Sequence, residues 1–178
     1  PQYNGRMLNE IADALGQDSY ELQCDILLAD KLLTGGIYHT MSEDDLQRVM
    51  QYPRTMVGTD GLWYPGCEGA HPRSIGTFPR MLGRYVRQKK YISLENAIRK
   101  MTSLPAQVYG MRGKGIVASG FDADLVLFDA EKIIDRAEYG AFCQRCEGLA
   151  SVIIGGKIAV EDAVFNGTKA GKVLRKEA

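Results

Sequence analysis

The sequence predicts an α/β fold whose character changes near residue 110. Up to that point apolar residues recur at spacings of three and four, which is typical of amphipathic helices, and one short run is typical of a strand. Beyond it, short apolar runs separated by turn residues predict an all-β segment. We therefore expect two domains, residues 1–110 and residues 111–178.

Six helices are predicted in the first domain from their apolar spacing and their capping residues. Asp18 and Glu21 form a capping box, and Ser42 and Ser93 are favourable N-caps. Pro79 suits the first turn of a helix. The predicted helices span residues 5–16, 18–33, 43–51, 78–90, 94–101 and 102–110.

One strand is predicted before residue 110, over residues 55–60, and four are predicted after it. Gly155 and Gly156 separate the last two strands, and a two-residue glycine connection between apolar runs predicts a β-hairpin. The four later strands span residues 116–118, 124–128, 150–154 and 157–160.

The composition of the 178 residues is that of a folded globular protein, because 45% are hydrophobic and 25% are charged. Lys and Arg together number 22, and so do Asp and Glu, so no excess charge favours nucleic acid or an acidic membrane. No apolar run approaches the ~18 residues of a membrane span. The sequence therefore excludes a wholly disordered chain and predicts neither nucleic-acid nor membrane partners.

The four cysteines, Cys24, Cys67, Cys143 and Cys146, are predicted to be buried free thiols of a cytoplasmic protein. A chain of this length can build a core without disulfides. Cys143 and Cys146 form a lone C-x-x-C pair, and a zinc or redox role would need further ligands at suitable spacing.

Asp60 is the first candidate for chemistry. It ends the predicted strand at residues 55–60 and precedes Gly61. Barrels of alternating strands and helices carry their catalytic groups at the C-terminal ends of strands. An aspartate beside a glycine is also common in turns without catalytic function. Position alone therefore leaves both interpretations open.

A basic segment follows Asp60, with no acidic residue from position 69 to position 94. Arg80, Arg84 and Arg87 recur within it at helical spacing, which is typical of a solvated basic helix face. Arg73 instead lies in a predicted loop, thirteen positions after Asp60, where both side chains can line one cavity. Its guanidinium suits a carboxylate or a phosphate, which it can bind with two hydrogen bonds.

A complete catalytic zinc site is not expected from this chain alone. Such sites usually take three protein ligands. The chain has two histidines, His39 and His71, which lie far apart in the sequence.

Several motifs resemble the C-terminal part of N-acyl-D-amino-acid deacylases, the D-aminoacylases of the amidohydrolase superfamily. The specific stretch is HPRSIGTFPR at residues 71–80, whereas GFDADLVLFD at residues 120–129 is shared more widely among amidohydrolases. The similarity extends over nearly the whole chain. The other matching motifs are MSEDD at residues 41–45, MVGTDG at 56–61, MLGRYVR at 81–87 and KMTSLPA at 100–106.

The resemblance implies a C-terminal fragment of a metal-dependent (β/α)8 barrel, with residues 55–60 as its last strand, followed by part of a small β-sandwich domain. Most metal ligands would lie in the missing N-terminal part of the same polypeptide. The start at Pro1, with the first methionine at Met7 inside a predicted helix, agrees with a fragment. We expect the isolated chain to be inactive and to form a homo-oligomer through unpaired strand edges.

The resemblance also implies zinc-dependent hydrolysis of the amide bond of N-acyl-D-amino acids. Asp60 would carry a proton from water to the leaving amine and is also a candidate metal ligand. Arg73 would bind the α-carboxylate of the substrate. Gly58, Gly61 and His71 would shape the loop around the site, with the glycines letting the backbone turn tightly.

Three alternatives stay open. A dihydroorotase-like or hydantoinase-like enzyme acting on cyclic amides would share the terminal aspartate but would not be expected to carry GTFPR. A nucleic-acid-binding module would use the basic helix of residues 80–91, with Tyr85 and Tyr91 as stacking groups. The third alternative is a non-catalytic structural or oligomerisation fragment.

Overall fold

The computed structural model describes residues 2–62, 71–139, 141 and 143–175, and it divides into two compact units. Unit 1 is Pro1–Thr40 and unit 2 is Met41–Ala178. Residue 110 lies inside unit 2, and the domain boundary predicted there stays a prediction.

Unit 1 is a pair of helices, α1 (Leu8–Leu15) and α2 (Ser19–Ala29). Gly16 ends α1 in the left-handed conformation, with φ of 66°. Asp18 begins α2 as predicted, because its carboxylate accepts hydrogen bonds from the amides of Tyr20 and Glu21. The buried core of the unit is formed by Ile11, Ala12 and Leu22.

Helix α2 ends four residues earlier than predicted. Lys31 and Leu32 have φ values of 58° and 66°, which a right-handed helix cannot contain. The helix was predicted to continue because of the spacing of its apolar residues. Leu32 and Leu33 are exposed, so they do not form the buried face that this spacing suggested.

Unit 2 begins with helices and ends with a sheet. Ser42 and Ser93 are the N-caps of α3 and α5, as predicted, because their hydroxyls accept hydrogen bonds from the amides of Asp45 and Asn96. The helices are α3 (Glu43–Gln51), α4 (Arg73–Arg80), a π-helix (Met81–Gln88), α5 (Leu94–Met101) and α6 (Ser103–Val108).

The helix predicted over residues 78–90 begins five residues earlier, at Arg73, and Pro79 lies inside α4 rather than in its first turn. Proline removes an amide hydrogen and crowds the carbonyl four residues before it. The wider π-helix starts at Met81, two residues after Pro79. We attribute the change of helix type to this local loss of α-helical bonding.

The sheet contains four antiparallel strands in the order β1-β2-β3-β4. Gly155 and Gly156 join β2 to β3 with φ values of 55° and 78°, which confirms the predicted hairpin and gives both central residues positive φ. The strands are β1 (Leu125–Phe128), β2 (Leu149–Ile154), β3 (Lys157–Glu161) and the unpredicted β4 (Val164–Phe165).

Two predicted strands are not formed. Residues 116–118 have no regular structure, and Val117 is 88% exposed, so no apolar face covers it. Residues 55–60 are also irregular, and within the described residues Val57 bonds across the chain by donating its amide to the carbonyl of Lys100, 3.2 Å away. A strand needs a paired neighbour, and neither run has one here.

The core of unit 2 joins its helices to the segment that precedes β2. Gly83 lies against this segment so closely that a Cβ atom there would lie 2.3 Å from the carbonyl oxygen of Ile133. The buried core residues are Met50, Met81, Leu82, Tyr85, Ile92, Ala97 and Ile133.

The cysteines are less buried than predicted. Cys24, Cys143 and Cys146 are free, but Cys143 is exposed and the other two are half-buried. Cys67 lies outside the described residues.

In the part of the chain that the structure describes, no helix combines the length and the apolar character required to cross a membrane.

Candidate functional site

The structure brings Asp60 and Arg73 into direct contact. The Nη2 atom of Arg73 lies 2.7 Å from the Oδ2 atom of Asp60, and its Nε donates to the backbone carbonyl of Asp60 at 2.9 Å. One guanidinium therefore holds both the side chain and the main chain of the aspartate. The Asp60 carboxylate is 85% exposed and the Arg73 side chain is 43% exposed, so solvent and small molecules can reach the pair.

The backbone at Asp60 adopts an uncommon conformation, with φ of 44°. Aspartate tolerates this left-handed region better than most residues, at a cost of about 1–2 kcal/mol. The two hydrogen bonds from Arg73 and a bond from the amide of Gly61 to the hydroxyl of Thr59 hold the segment in this shape. The turn predicted around Asp60 is therefore made by the aspartate itself.

The glycines beside Asp60 differ in what they do. A Cβ atom on Gly61 would lie 2.8 Å from the Cα atom of Ser74, so Gly61 allows the chain to pass close to α4. Gly58 has neither a positive φ nor a neighbour within 4 Å of such a Cβ atom. The tight turn predicted for Gly58 is therefore not seen in this backbone.

His71 is held by hydrogen bonds at both ring nitrogens. Its Nδ1 accepts from the amide of Arg73 at 3.1 Å, and its Nε2 lies 3.2 Å from the hydroxyl of Tyr139. Accepting at Nδ1 assigns the proton of a neutral ring to Nε2, which then donates to Tyr139. These bonds tie the ring to the first residue of α4 and to Tyr139.

The described residues offer little to a metal ion. No three His, Cys, Asp or Glu side chains among them come together as a metal site. The exposed Asp60 carboxylate fits one ligand position, and catalytic zinc takes about three protein ligands. The remaining ligands of such a site would have to come from outside the described residues.

A cavity of about 380 Å³ lies beside the Asp60–Arg73 pair, between the irregular segment and the helices α3, α4 and π. Its polar lining residues include Thr59, His71 and Arg73, together with Arg80 and Lys100. The rest of the lining is mainly apolar and includes Leu46, Val49, Met50, Met56, Val57, Met81 and Tyr85.

The basic helix face predicted to be solvated is largely used inside the protein. Arg80 lies 2.7 Å from the carboxylate of Asp135, whose side chain is 5% exposed, and Arg87 donates to the carbonyl of Ile133 at 2.7 Å. Burial opposes the charge on Arg80, but its hydrogen bond and Coulomb attraction with Asp135 raise its pKa. The segment at residues 130–137 forms no strand, so its carbonyls are not paired in the sheet. Arg80 and Arg87 bind several of these carbonyls, which is a structural function.

Tyr85 and Tyr91 do not form an open stacking platform. Their rings stack on one another with centroids 6.1 Å apart, and Tyr85 is buried in the core of unit 2. A nucleic-acid module would present such rings to bases. The arrangement therefore argues against the nucleic-acid alternative.

Sequence reasoning missed Lys100, which lies near the end of α5 and is 2% exposed. Its ammonium donates to the carbonyl of Tyr52 at 2.5 Å and to the carbonyl and hydroxyl of Thr55 at 2.9 Å. Because lysine is usually a surface residue, burial could not have been read from its helical position. The one signal was its place in the matching motif at residues 100–106.

Comparison with known proteins gives a consistent result. Residues 4–160 match the model of the amidohydrolase family. A D-aminoacylase from Alcaligenes xylosoxydans xylosoxydans is 39% identical over 178 residues, which cover 100% of this chain and 35% of that protein.

Solved structures agree. A D-aminoacylase studied for its binuclear metal center has a TM-score of 0.83 and 40% identity, over 97% of this chain and 35% of that one. An N-acyl-D-glutamate deacylase from Bordetella bronchiseptica, complexed with zinc and a phosphonate inhibitor, has a TM-score of 0.76 and 38% identity, over 89% of this chain and 32% of that one. These matches confirm the resemblance, and this chain spans about a third of the length of each relative.

Proposed function

The chain belongs to the amidohydrolase family, and from that premise we propose that it is the C-terminal part of a zinc-dependent enzyme that deacylates N-acyl-D-amino acids. The observation that carries the proposal is similarity to D-aminoacylase over the whole chain, with an exposed Asp60–Arg73 pair inside the matching region. We retain the cytoplasmic location as part of the proposal.

We assign residues 55–60 to the last strand of a (β/α)8 barrel whose other strands lie outside this chain, and residues 111–178 to a β-sandwich domain. The nearly unpaired backbone of residues 55–60 supports this assignment, because barrel neighbours on both sides would supply its missing hydrogen bonds. Asp60 then stands at the C-terminal mouth, where barrel enzymes carry their catalytic groups.

In this proposal Asp60 moves the proton. Its carboxylate accepts a proton from the attacking water and delivers it to the nitrogen of the leaving amine. Arg73 contacts Oδ2, so Oδ1 stays available for this transfer. When bound, zinc polarises the amide carbonyl and favours loss of a proton from water, and Asp60 is the side chain of this chain suited to contact it.

Arg73 has donors left for a substrate. A guanidinium carries five N–H groups, and the contacts with Asp60 use two of them. The others can bind the α-carboxylate of an acyl amino acid while the first two hold Asp60. Arg73 would thus set the distance between the substrate and the group that transfers the proton.

The test uses the full-length protein with zinc. Hydrolysis of N-acetyl-D-amino acids with apolar and acidic side chains should be measured beside the matching L-enantiomers and two cyclic amides, dihydroorotate and a hydantoin. The proposal expects release of acetate from the D-enantiomers. Turnover of the cyclic amides alone would replace it with the cyclic-amide alternative, and no turnover of any substrate would favour a structural role.

Asp60→Asn in the full-length enzyme keeps the size of the side chain but removes the base. Turnover at saturating substrate should fall by about 100-fold or more. Asp162→Asn is the matched control, because Asp162 is also exposed and has φ of 47°. Near-normal turnover of the Asp60 variant would contradict its role in proton transfer.

A further inference from the structure

The buried ammonium of Lys100 binds oxygen atoms of a neighbouring backbone segment rather than a carboxylate. Its three N–H groups are matched by three oxygen acceptors, two on Thr55 and one on Tyr52. Burial and the nearby charge of Arg99 lower the pKa of Lys100. An apolar side chain would fill this position without that cost, so the ammonium is explained by what it binds.

The segment that Lys100 binds leads directly to Asp60. The backbone carbonyl of Lys100 accepts from the amide of Val57 at 3.2 Å, while its side chain holds Tyr52 and Thr55. One residue of α5 therefore fixes the chain from position 52 to position 57. Asp60 follows three residues later.

Asp60 is thereby held from two sides. Arg73 binds it directly from the start of α4, and Lys100 fixes the chain that enters it. Because Asp60 has a positive φ, a strained conformation must be maintained by its surroundings. Among the described residues, Arg99 also binds this segment, at the carbonyl of Pro53, and the hydroxyl of Thr55 binds the carbonyl of Val49. The bonds of Lys100 add to these and to the pairing that barrel neighbours would give residues 55–60 in the full-length protein.

We propose that Lys100 is a positioning residue for Asp60, acting through residues 52–57. The proposal rests on the function proposed above for Asp60 in catalysis. It differs from a general stabilising role in a specific way: loss of the ammonium should displace Asp60 and slow the proton transfer that Asp60 performs, while substrate binding through Arg73 is largely kept.

The experiment compares three variants of the full-length zinc enzyme. Lys100→Met keeps a long side chain at this position but removes its N–H donors. Thr55→Val removes the hydroxyl acceptor with less disturbance of the core. Lys114→Met is the control, because it also removes a bonded ammonium, which lies 2.8 Å from Asp122, at a position far along the chain from Asp60. A misplaced catalytic group can cost about 100-fold in rate.

Lys100→Met should lower kcat by about 10-fold to 100-fold with KM changed by about twofold at most, and Thr55→Val should lower kcat by a smaller factor. Lys114→Met should leave kcat unchanged. In an Asp60→Asn background, Lys100→Met should cause no further loss, because its effect passes through Asp60. Equal losses in both backgrounds, or full kcat in folded Lys100→Met and Thr55→Val, would overturn the proposal.

Hydrogen exchange gives a readout that does not depend on the substrate. The amides of residues 55–60 should exchange faster in Lys100→Met, or in Thr55→Val if the first variant does not fold, than in Lys114→Met. Unchanged exchange would overturn the positioning role even if activity fell. Faster exchange in a protein that hydrolyses no N-acyl-D-amino acid would keep the structural link and reject the proposed function instead.

Discussion

Arg73 lies at the first residue of α4, yet both of its described side-chain bonds run back to Asp60. An arginine tied to a carboxylate in this way often has only a structural function. Here the pair is exposed, and the guanidinium retains donors, so the same side chain can serve the aspartate and a substrate anion.

Arg73→Ala in the full-length enzyme should therefore reduce kcat/KM by about tenfold to over a hundredfold. The physical reason is the loss of a charge-assisted hydrogen bond, worth about 1.5–3 kcal/mol. The measurement compares an N-acyl-D-amino acid with its amide analogue, which lacks the α-carboxylate and should lose much less.

The control for Arg73 is Arg48→Ala, since Arg48 is exposed and its nearest acidic partner, Asp45, is 3.8 Å away. Its kcat/KM should stay unchanged. If the acid and its amide suffer equally from Arg73→Ala, the arginine acts through Asp60 alone and the carboxylate is bound elsewhere.

At the scale of single residues, the sequence predicted that Asp60 and Arg73 belong to one site, but it did not predict the bonds that hold them there. Thirteen positions separate Asp60 from Arg73, and the prediction that they share one place is consistent with their 2.7 Å contact. The buried ammonium of Lys100 could not be predicted, because its partners are carbonyls, which every residue has. Such a site depends on backbone placement and leaves no residue pattern.

At the scale of elements, the π-helix from Met81 to Gln88 places Gly83 where a Cβ atom would lie too close to the backbone of Ile133. Gly83→Ala would ordinarily favour a helix by about 1 kcal/mol. At this position the added Cβ atom meets the carbonyl of Ile133, so we expect a net loss of about 1–3 kcal/mol in the free energy of unfolding.

Urea denaturation of the full-length protein measures the effect of Gly83→Ala. Gly171→Ala is the control, because it has no neighbour within 4 Å of a Cβ atom and should change stability by less than about 0.5 kcal/mol. A stabilised Gly83→Ala protein would show that the helix can move away from Ile133 at little cost.

Asp124, next to β1, connects the sheet to Lys114 and to the turn at Gly155. Hydrogen bonds from Lys114 and from the amide of Gly155 hold the pKa of Asp124 below its ordinary value. A carboxylate with a lowered pKa stabilises the fold above its unfolded pKa of about 3.9, and this stability is lost as the pH falls below that value.

Asp124→Asn should therefore lower the free energy of unfolding at pH 7 by about 0.5–1 kcal/mol, a modest amount because the pair is partly exposed. The difference from the unaltered protein should shrink as the pH falls below about 3.9 and through the lowered pKa of Asp124. Denaturation midpoints over a series of pH values from 7 downwards measure this, with Asp162→Asn as the control. A difference that does not change with pH over the whole acid range in which the protein folds would show that charge on Asp124 is not its source.

Elements that depend on local chemistry were predictable, and those that depend on neighbours were not. The caps at Asp18, Ser42 and Ser93 are confirmed because each side chain bonds amides two or three residues away. The strand predicted at residues 55–60 is not formed, because a strand needs a pairing partner that is distant in the sequence. The π-helix was missed because apolar spacing cannot distinguish it from an α-helix over two turns.

At the scale of the whole molecule, this chain should not act as an enzyme alone. We expect the isolated 178 residues to hold no stoichiometric zinc and to hydrolyse no N-acyl-D-amino acid. The described residues provide no cluster of three metal ligands. The sheet also has open edges at β1 and β4, which invite pairing with another chain, so we expect a dimer or a larger assembly.

Metal analysis and light scattering on the purified chain measure both expectations, and the full-length protein is the control. One tightly bound zinc per isolated chain with deacylase activity would contradict the proposed division of the active site. A monomer over a range of concentrations would remove the argument from open edges.

The contacts of α4 and the π-helix with residues 130–137 also limit how relatives of this protein can be recombined. Arg80 binds Asp135, Arg87 binds the carbonyls of Ala130 and Ile133, and Gly83 accommodates Ile133. A chimera joined between residues 88 and 130 would combine the helices of one relative with residues 130–137 of another, so these contacts would join side chains from two different proteins. Exchange of the segment from residue 73 to residue 137 as one block keeps those partners together.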